Sequence, residues 1–310
     1  MPGSFVGIDV SKKTLSCWFA GSHSEVANSR KAFLKYLSKL PPGSKVAIEN
    51  TGSYHLAAAE AAHASGFEVY VLNPRDCARF RQCSKPRAKT DKIDAEEIAR
   101  FAEFAQGRLR RFFPLPAPVR RLRELLRRRS ALSQARSLLE QSFAHSPDLA
   151  ERLKPILDAM RELESELAAE MVREASGTES AGLLRRIPGF GPIVSSALAG
   201  VLEGGSFASS DSLVAYFGLD CRACDSGQKK GRRRISKQGD RLLRKLVYLA
   251  AMAARRTPEW AAYYEKMLAK GLTKVQSIVA LARKLLRAAW SIAKRKADYD
   301  PARILPKPLT

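Results

Sequence analysis

Phe5-Val-Gly-Ile-Asp-Val10, Ser11-Lys-Lys13 and Thr14-Leu-Ser-Cys-Trp-Phe19 decide how the first part of this chain folds. Two short apolar, β-branched and aromatic runs flank a polar break, which is the pattern of a β-hairpin. The second run ends at Gly21. Ala32-Phe-Leu-Lys-Tyr-Leu-Ser-Lys-Leu40 then gathers apolar residues on one side of a short helix, stopped by Pro41-Pro42-Gly43. Lys45-Val-Ala-Ile-Glu49 reads as a strand, Gly52 as a turn, and Tyr54 to Ser65 as an alanine-rich helix capped by Gly66. Glu68-Val-Tyr-Val-Leu72 is another strand, broken at Asn73-Pro74, and Thr90 to Ala105 is another helix. A hairpin followed by alternating helices and strands implies a mixed α/β sheet with helices packed on it.

Lys89-Thr-Asp-Lys-Ile-Asp-Ala95 sets Asp91 and Asp94 three residues apart at the head of that last helix, so both acids share a face. Asp9 and Glu49 each close a short apolar run. Opposed carboxylates repel and raise each other's pKa unless a cation lies between them. Brought together, Asp9, Glu49, Asp91 and Asp94 form an all-oxygen site suited to Mg²⁺, with Mn²⁺ as a substitute. Each acid alone has an ordinary explanation: Asp9 as a turn residue, Glu49 as a helix cap, Asp91 as a charge favourable to the helix dipole. Such an explanation serves for one acid and not for four.

A length of 310 residues suggests about two domains. Lys and Arg number 54 against 31 Asp and Glu, a net charge of +23, and 45% of residues are hydrophobic. That excess points to a polyanionic partner, bound by phosphate neutralisation and counterion release. No window approaches the roughly 18 apolar residues of a membrane span, so no membrane partner is expected. Met1-Pro-Gly-Ser opens no secretory signal. The five cysteines are odd in number and scattered, consistent with reduced thiols in a cytoplasm. Cys221 and Cys224 form a lone C-x-x-C without the second pair that a zinc site needs, and read as loop thiols. His23, His55, His63 and His145 show no metal-ligand spacing.

Pro114, Pro116 and Pro118 mark a linker, beyond which the chain turns helical. Residues 119–143 form an arginine-rich helix. Pro147 begins another, in which Leu149, Leu153, Ile156, Met160, Leu163 and Leu167 are spaced as a coiled-coil seam, with Pro155 inside it. The seam folds back on residues 119–143 or pairs with another protomer; spacing does not separate these. After Ser176-Gly-Thr178, helices follow at about 192–202, 209–217, 239–255, 259–269 and 273–294. Tyr216, Phe217, Trp260, Tyr263, Tyr264 and Trp290 sit at helical spacing, as core residues do. Ile187-Pro-Gly-Phe-Gly191 leads into a helix in the manner of a helix-hairpin-helix, with Gly189 and Gly191 letting backbone N–H groups approach a phosphate. Lys229-Lys-Gly-Arg-Arg-Arg-Ile-Ser-Lys-Gln-Gly239 delivers one serine, Ser236, inside a basic run that precedes a helix. Spacing by itself favours Ser236 as a cap for that helix.

Taken in order, Gly7-Ile-Asp9-Val-Ser-Lys12, Ile48-Glu49-Asn-Thr-Gly52-Ser-Tyr54, Val71-Leu-Asn-Pro74, Lys89 to Ala95, Ile187 to Gly191, Ala215-Tyr-Phe-Gly-Leu219, and Arg234-Ile-Ser236-Lys-Gln-Gly239 with Arg241-Leu-Leu-Arg244 cover nearly the whole chain. Together they resemble the DEDD transposases of insertion sequences in the IS110 group, relatives of the Piv-type DNA invertases. One departure is visible: after Leu219 the family usually runs to a proline, where this chain has Asp220-Cys221.

The resemblance implies a RuvC-like, RNase H-type α/β domain over residues 1–115, a helical coiled-coil arm over 116–178, and an all-α transposase domain over 179–310. It places the four acids on Asp9, Glu49, Asp91 and Asp94, and an essential serine on Ser236. It implies an RNA-guided DNA recombinase that cuts and rejoins strands through a phosphoserine with magnesium. Its partners are target and donor duplex DNA, a structured non-coding bridge RNA, and copies of itself as a homodimer and synaptic homotetramer. Lys229, Lys230, Arg232, Arg233, Arg234, Lys237 and Arg241 then serve flanking phosphates. Two rivals stand beside this: a RuvC-like nuclease or resolvase working without a covalent intermediate, and an inactive nucleic-acid-binding scaffold. The opening Gly7-Ile-Asp9 also resembles actin-like sugar kinases, but no second phosphate loop follows it.

Overall fold

The computed structural model describes residues 4–50, 52, 54–84, 91–222 and 233–304, with backbone alone at 84, 91, 92 and 304. The chain divides into two compact units, Met1–Pro114 and Leu115–Thr310.

In the first unit, β1 (Phe5–Val10), β2 (Thr14–Phe19) and β3 (Ser22–Ala27) form an antiparallel meander. Ser11 closes the first turn: its N–H donates to the Thr14 carbonyl at 2.9 Å, and its Oγ accepts from the Thr14 N–H at 2.9 Å. The chain continues through α1 (Arg30–Leu37), β4 (Lys45–Glu49), α2 (Tyr54–Ala64), β5 (Glu68–Leu72), α3 (Pro74–Ser84) and α4 (Asp91–Ala105). The strand order is β3-β2-β1-β4-β5, with β4 parallel to both β1 and β5. Successive strand residues face opposite sides of a sheet, and the sequence uses both faces. Val6, Ile8, Val46, Ile48 and Val69 join a buried cluster with α1 and α2. Phe5, Ala47, Tyr70 and Leu72 join a second cluster with Cys77 of α3 and Ile98, Ala99 and Ala102 of α4. The sheet is therefore covered on both sides.

Two elements go beyond the sequence reading. β3 (SHSEVA) is a polar edge strand whose pairing with β2 supplies its order. α3 begins where the sequence shows only a break: the Asn73 Oδ1 accepts the Arg75 N–H at 2.9 Å, and Pro74 occupies the first turn. Proline tolerates that position because a first-turn N–H has no helical partner to lose.

The second unit comprises α5 (Ala117–Phe143), α6 (Pro147–Ser176), α7 (Glu179–Arg185), α8 (Pro192–Glu203), α9 (Ser210–Tyr216), β6 (Cys221–Arg222), β7 (Arg234–Ile235), α10 (Arg241–Ala254), α11 (Pro258–Ala269), α12 (Lys274–Arg295) and α13 (Pro301–Ile304). One hydrophobic core runs through it: Leu122 and Leu125 of α5 and Met171 of α6 belong to the same cluster as Leu198, Phe217 and Trp260. The arm and the C-terminal section, which the sequence reading separates after residue 178, thus share a core. Phe217, Trp260 and Tyr264 are buried, and Tyr216, Tyr263 and Trp290 pack against that core.

α6 runs unbroken through Pro155 and packs on α5. The seam divides in two. Leu153 is buried and Met160 and Leu167 are half-buried, whereas Leu149, Ile156 and Leu163 remain 41%, 56% and 45% exposed. Arg136 of α5 ties the pair by donating to Glu164 at 2.7 Å, and Arg121 donates to Glu170 at 2.7 Å. Among the described residues, no helix is long and apolar enough to cross a membrane.

Candidate active site

The carboxylates of the first unit are collected by strand parity. Asp9 follows Ile8 on β1 and Glu49 follows Ile48 on β4, and Ile8 and Ile48 are register partners in parallel strands. Both acids therefore lie at the carboxyl ends of neighbouring strands, on the face that α4 covers. Gly7 allows α4 to come so close. A Cβ there would stand 2.0 Å from the Ala95 carbonyl oxygen and 2.6 Å from the Ala99 nitrogen. That approach brings Asp94, next to Ala95, into the site, where it is 9% exposed.

Arg81 completes the cluster. It lies one helical turn after the buried Cys77 on α3, and it donates through Nη2 to Glu49 Oε2 at 2.6 Å and through Nη1 to Asp94 Oδ1 at 2.9 Å. Burial pushes the Glu49 carboxyl above the ordinary carboxylate range; Arg81 opposes the rise, and the charges of Asp9 and Asp94 add to it. The side chain of Asp91 lies outside the described residues, though its backbone begins α4. Among the described residues, no three His, Cys, Asp or Glu side chains converge closely enough to hold a metal ion. The donor set nevertheless fits a hard divalent cation. It offers only oxygens, and the Arg81 guanidinium stands where positive charge is wanted. Glu97, one turn beyond Asp94 and 5% exposed, accepts from Arg100 at 3.4 Å through Oε1.

In the second unit, Ser236 sits just past a two-stranded ribbon in which Cys221 pairs with Ile235 and Arg222 with Arg234. The Ser236 N–H donates to the Asp220 carbonyl at 2.9 Å, and the Ser236 hydroxyl donates to Asp220 Oδ1. The Gln238 N–H donates to Ser236 Oγ at 3.2 Å. Lys237 adopts φ 53°, a left-handed conformation uncommon for a lysine, and its N–H donates to the Gly218 carbonyl at 3.0 Å. Ser236 does not cap α10. That cap is Asp240, whose Oδ1 accepts from the Leu242 and Leu243 N–H groups at 2.7 and 3.3 Å. Arg233, Arg234, Lys237 and Arg241 are exposed around this turn. Lys229, Lys230, Arg232 and Cys224 lie outside the described residues.

Residues 6–146 match the model of the IS110-type DEDD transposases, described as a transposase. Residues 181–265 match a second model, the transposase of the IS116/IS110/IS902 family. The chain belongs to the IS110 family of DEDD transposases. It is 24% identical to the pilin gene-inverting protein of Moraxella bovis over 97% of its own length and 98% of the relative's. It is 26% identical to a probable family 20 transposase of Pseudomonas aeruginosa, over 96% and 99% of the two chains. The transposase for insertion sequence element IS1328 of Yersinia enterocolitica is also 26% identical, over 96% and 98%. As a member of this family the chain is a DNA recombinase, and the family works with divalent metal ions.

The two glycines of the turn ahead of α8 differ in this transposase. Gly189 has φ 93°, and a Cβ there would meet the Ala254 Cβ at 2.5 Å and the Ala250 carbonyl at 2.8 Å. Its missing side chain thus admits α10. Gly191, the residue before α8, has open space where a Cβ would stand. Three participants escaped the sequence reading of the sites: Gly7 as the seat of α4, Arg81 as the internal cation, and Asp220 as the partner of Ser236. Arg81 carried no signal beyond an arginine after Asn73-Pro74. Asp220 carried one, as the position where the resemblance departs.

Proposed function

We propose that this transposase cuts and rejoins DNA through a covalent phosphoserine at Ser236, with a magnesium ion held by the acids of its first unit and sequence recognition supplied by a structured RNA. The observation that carries this reading is the Ser236 turn. Asp240 and not Ser236 caps the following helix, so the serine hydroxyl is held instead by Asp220 and the Gln238 N–H, with exposed Arg234, Lys237 and Arg241 nearby in the chain. A sheet ordered β3-β2-β1-β4-β5, with its acids at the ends of the two central parallel strands, supports a RuvC-like reading of the first unit.

Asp9, Glu49, Asp91 and Asp94 would hold the cation, which supplies charge stabilisation on the phosphate oxygens. A serine hydroxyl is a weak nucleophile near neutral pH and needs a proton acceptor. Ser236 Oγ attacks phosphorus, and the leaving deoxyribose oxygen is freed as a hydroxyl. The phosphoserine conserves the phosphodiester energy, so strands are exchanged and rejoined without a nucleotide cofactor. A net charge of +23 suits binding to DNA and RNA backbones, with base pairing reading the sequence. The named activities of the relatives, gene inversion and transposition, both fit strand exchange of this kind. The exposed Leu149, Ile156 and Leu163 stripe supports self-association into a dimer and a synaptic tetramer.

The test incubates the full chain with magnesium, RNA transcribed from the DNA flanking its own gene, and labelled duplex from the same flanks. A DNA–protein adduct on a denaturing gel in wild type and none in Ser236→Ala is the expected result. Cleavage without an adduct in both proteins replaces this reading with a hydrolytic nuclease.

A further inference from the structure

We propose that Asp220 is the general base that takes the proton of Ser236, an inference that rests on Ser236 being the nucleophile. The geometry supplies both requirements of a base. The carboxylate already accepts the hydroxyl hydrogen of Ser236, and the backbone holds the two residues in register. The Ser236 N–H bonds to the Asp220 carbonyl, and the Cys221–Ile235 pair follows directly in the ribbon. From the other side the Gln238 N–H donates to Oγ, occupying one lone pair and leaving the second for attack. Gln238 is fixed in turn by Arg222, whose Nη2 donates to Gln238 Oε1.

Charge argues the same way. The turn is flanked by exposed Arg234, Lys237 and Arg241, which suits a phosphate backbone. A carboxylate in that setting opposes DNA binding by like-charge repulsion, so its presence against the serine calls for chemistry.

The step balances. The Oγ–H bond breaks and its proton passes to Asp220 Oδ1 while the Oγ–P bond forms. The bond from phosphorus to the leaving deoxyribose oxygen breaks, and that oxygen departs with the electron pair. It takes a proton from water, and protonated Asp220 returns its own to solvent. On rejoining, a DNA hydroxyl attacks the phosphoserine, and its O–H proton passes to solvent as the new O–P bond forms. The Oγ–P bond breaks with its electron pair on Oγ, and Oγ takes a proton from Asp220 that has been reprotonated from solvent.

The experiment measures the single-turnover rate of adduct formation with the full chain, magnesium, the flank-derived RNA and labelled flank duplex. Asp220→Asn is expected to slow the adduct by about 10²- to 10⁴-fold, the range of general-base catalysis. Its thermal melting stays at the wild-type value, and its DNA affinity is equal or tighter. Asp220→Glu retains more of the rate than Asp220→Asn. Added formate raises the rate of Asp220→Ala, a rescue that a merely structural role does not produce. A wild-type rate in Asp220→Asn, with Ser236→Ala inactive, overturns the assignment of Asp220 and leaves Ser236 standing. So does a slowed Asp220→Ala that formate does not rescue, or a slowed Asp220→Asn with lowered melting. An adduct in Ser236→Ala, or cleavage without an adduct in wild type, removes the nucleophile and Asp220 with it.

Discussion

The acid site and the serine site are built by opposite means. Asp9, Glu49 and Asp94 are held by the core of the first unit: strand register sets two of them side by side, and a helix pressed against Gly7 brings the third. Ser236 is half-buried and held by hydrogen bonds, to Asp220 and from the Gln238 N–H, in a turn where Arg234, Lys237 and Arg241 are exposed. A site framed by a core resists small perturbations and fails abruptly when the packing is disturbed. One framed by a few polar contacts adjusts residue by residue. The difference suits the proposed division of labour, in which the carboxylates receive a cation and the turn meets a large polyanion.

The largest effect should come from Gly7→Ala. A methyl 2.0 Å from the Ala95 carbonyl displaces backbone, so a loss of more than about 3 kcal/mol is expected on thermal melting. Unchanged melting would mean that the core does not frame the acid site. Next comes Arg81→Met, which strips the partner from Glu49 and Asp94. In metal-free protein this costs about 3 kcal/mol, as for a broken buried pair. Mn²⁺ should recover part of it, because the ion binds the folded state. Calorimetry showing equal stability and equal Mn²⁺ affinity with and without Arg81 would reject its role as the internal cation.

Asp9→Asn is expected to lower strand cleavage at least about a hundredfold, since one negative ligand is lost from the cation site. Melting should change little. Mn²⁺ binding should also weaken on acidification. A ligand must be deprotonated to bind, and the Glu49 carboxyl is raised by burial. The weakening should therefore begin at a higher pH than for ordinary carboxylates, and Glu49→Gln should flatten the profile. Smallest in stability are Ile156→Glu and Leu163→Glu, within about 0.5 kcal/mol because both side chains are exposed. Sedimentation should nonetheless show loss of self-association; a wild-type profile would free that stripe of any role.

Much was legible because the relevant forces are local. Apolar alternation announces β1, β2, β4 and β5, and the helix expected over residues 90–105 is present as α4. β3 escaped because a polar edge strand draws its order from a neighbour. α3 escaped because Asn73-Pro74 reads equally as a stop and as a start. The seam on α6 was visible, but which of its two lines would be covered depended on α5.

The sequence by itself determined most of the long helices and four strands of the sheet, and it named Asp9, Glu49, Asp91, Asp94 and Ser236 as candidates, because period, caps and motif order are written along the chain. Only the tertiary structure decided that Arg81 sits between Glu49 and Asp94, that Gly7 admits α4, and that Asp220 meets Ser236. Those contacts join residues 13 to 32 positions apart, or a strand to a distant helix. Such proximity arises from packing and register, which no single stretch of the chain encodes.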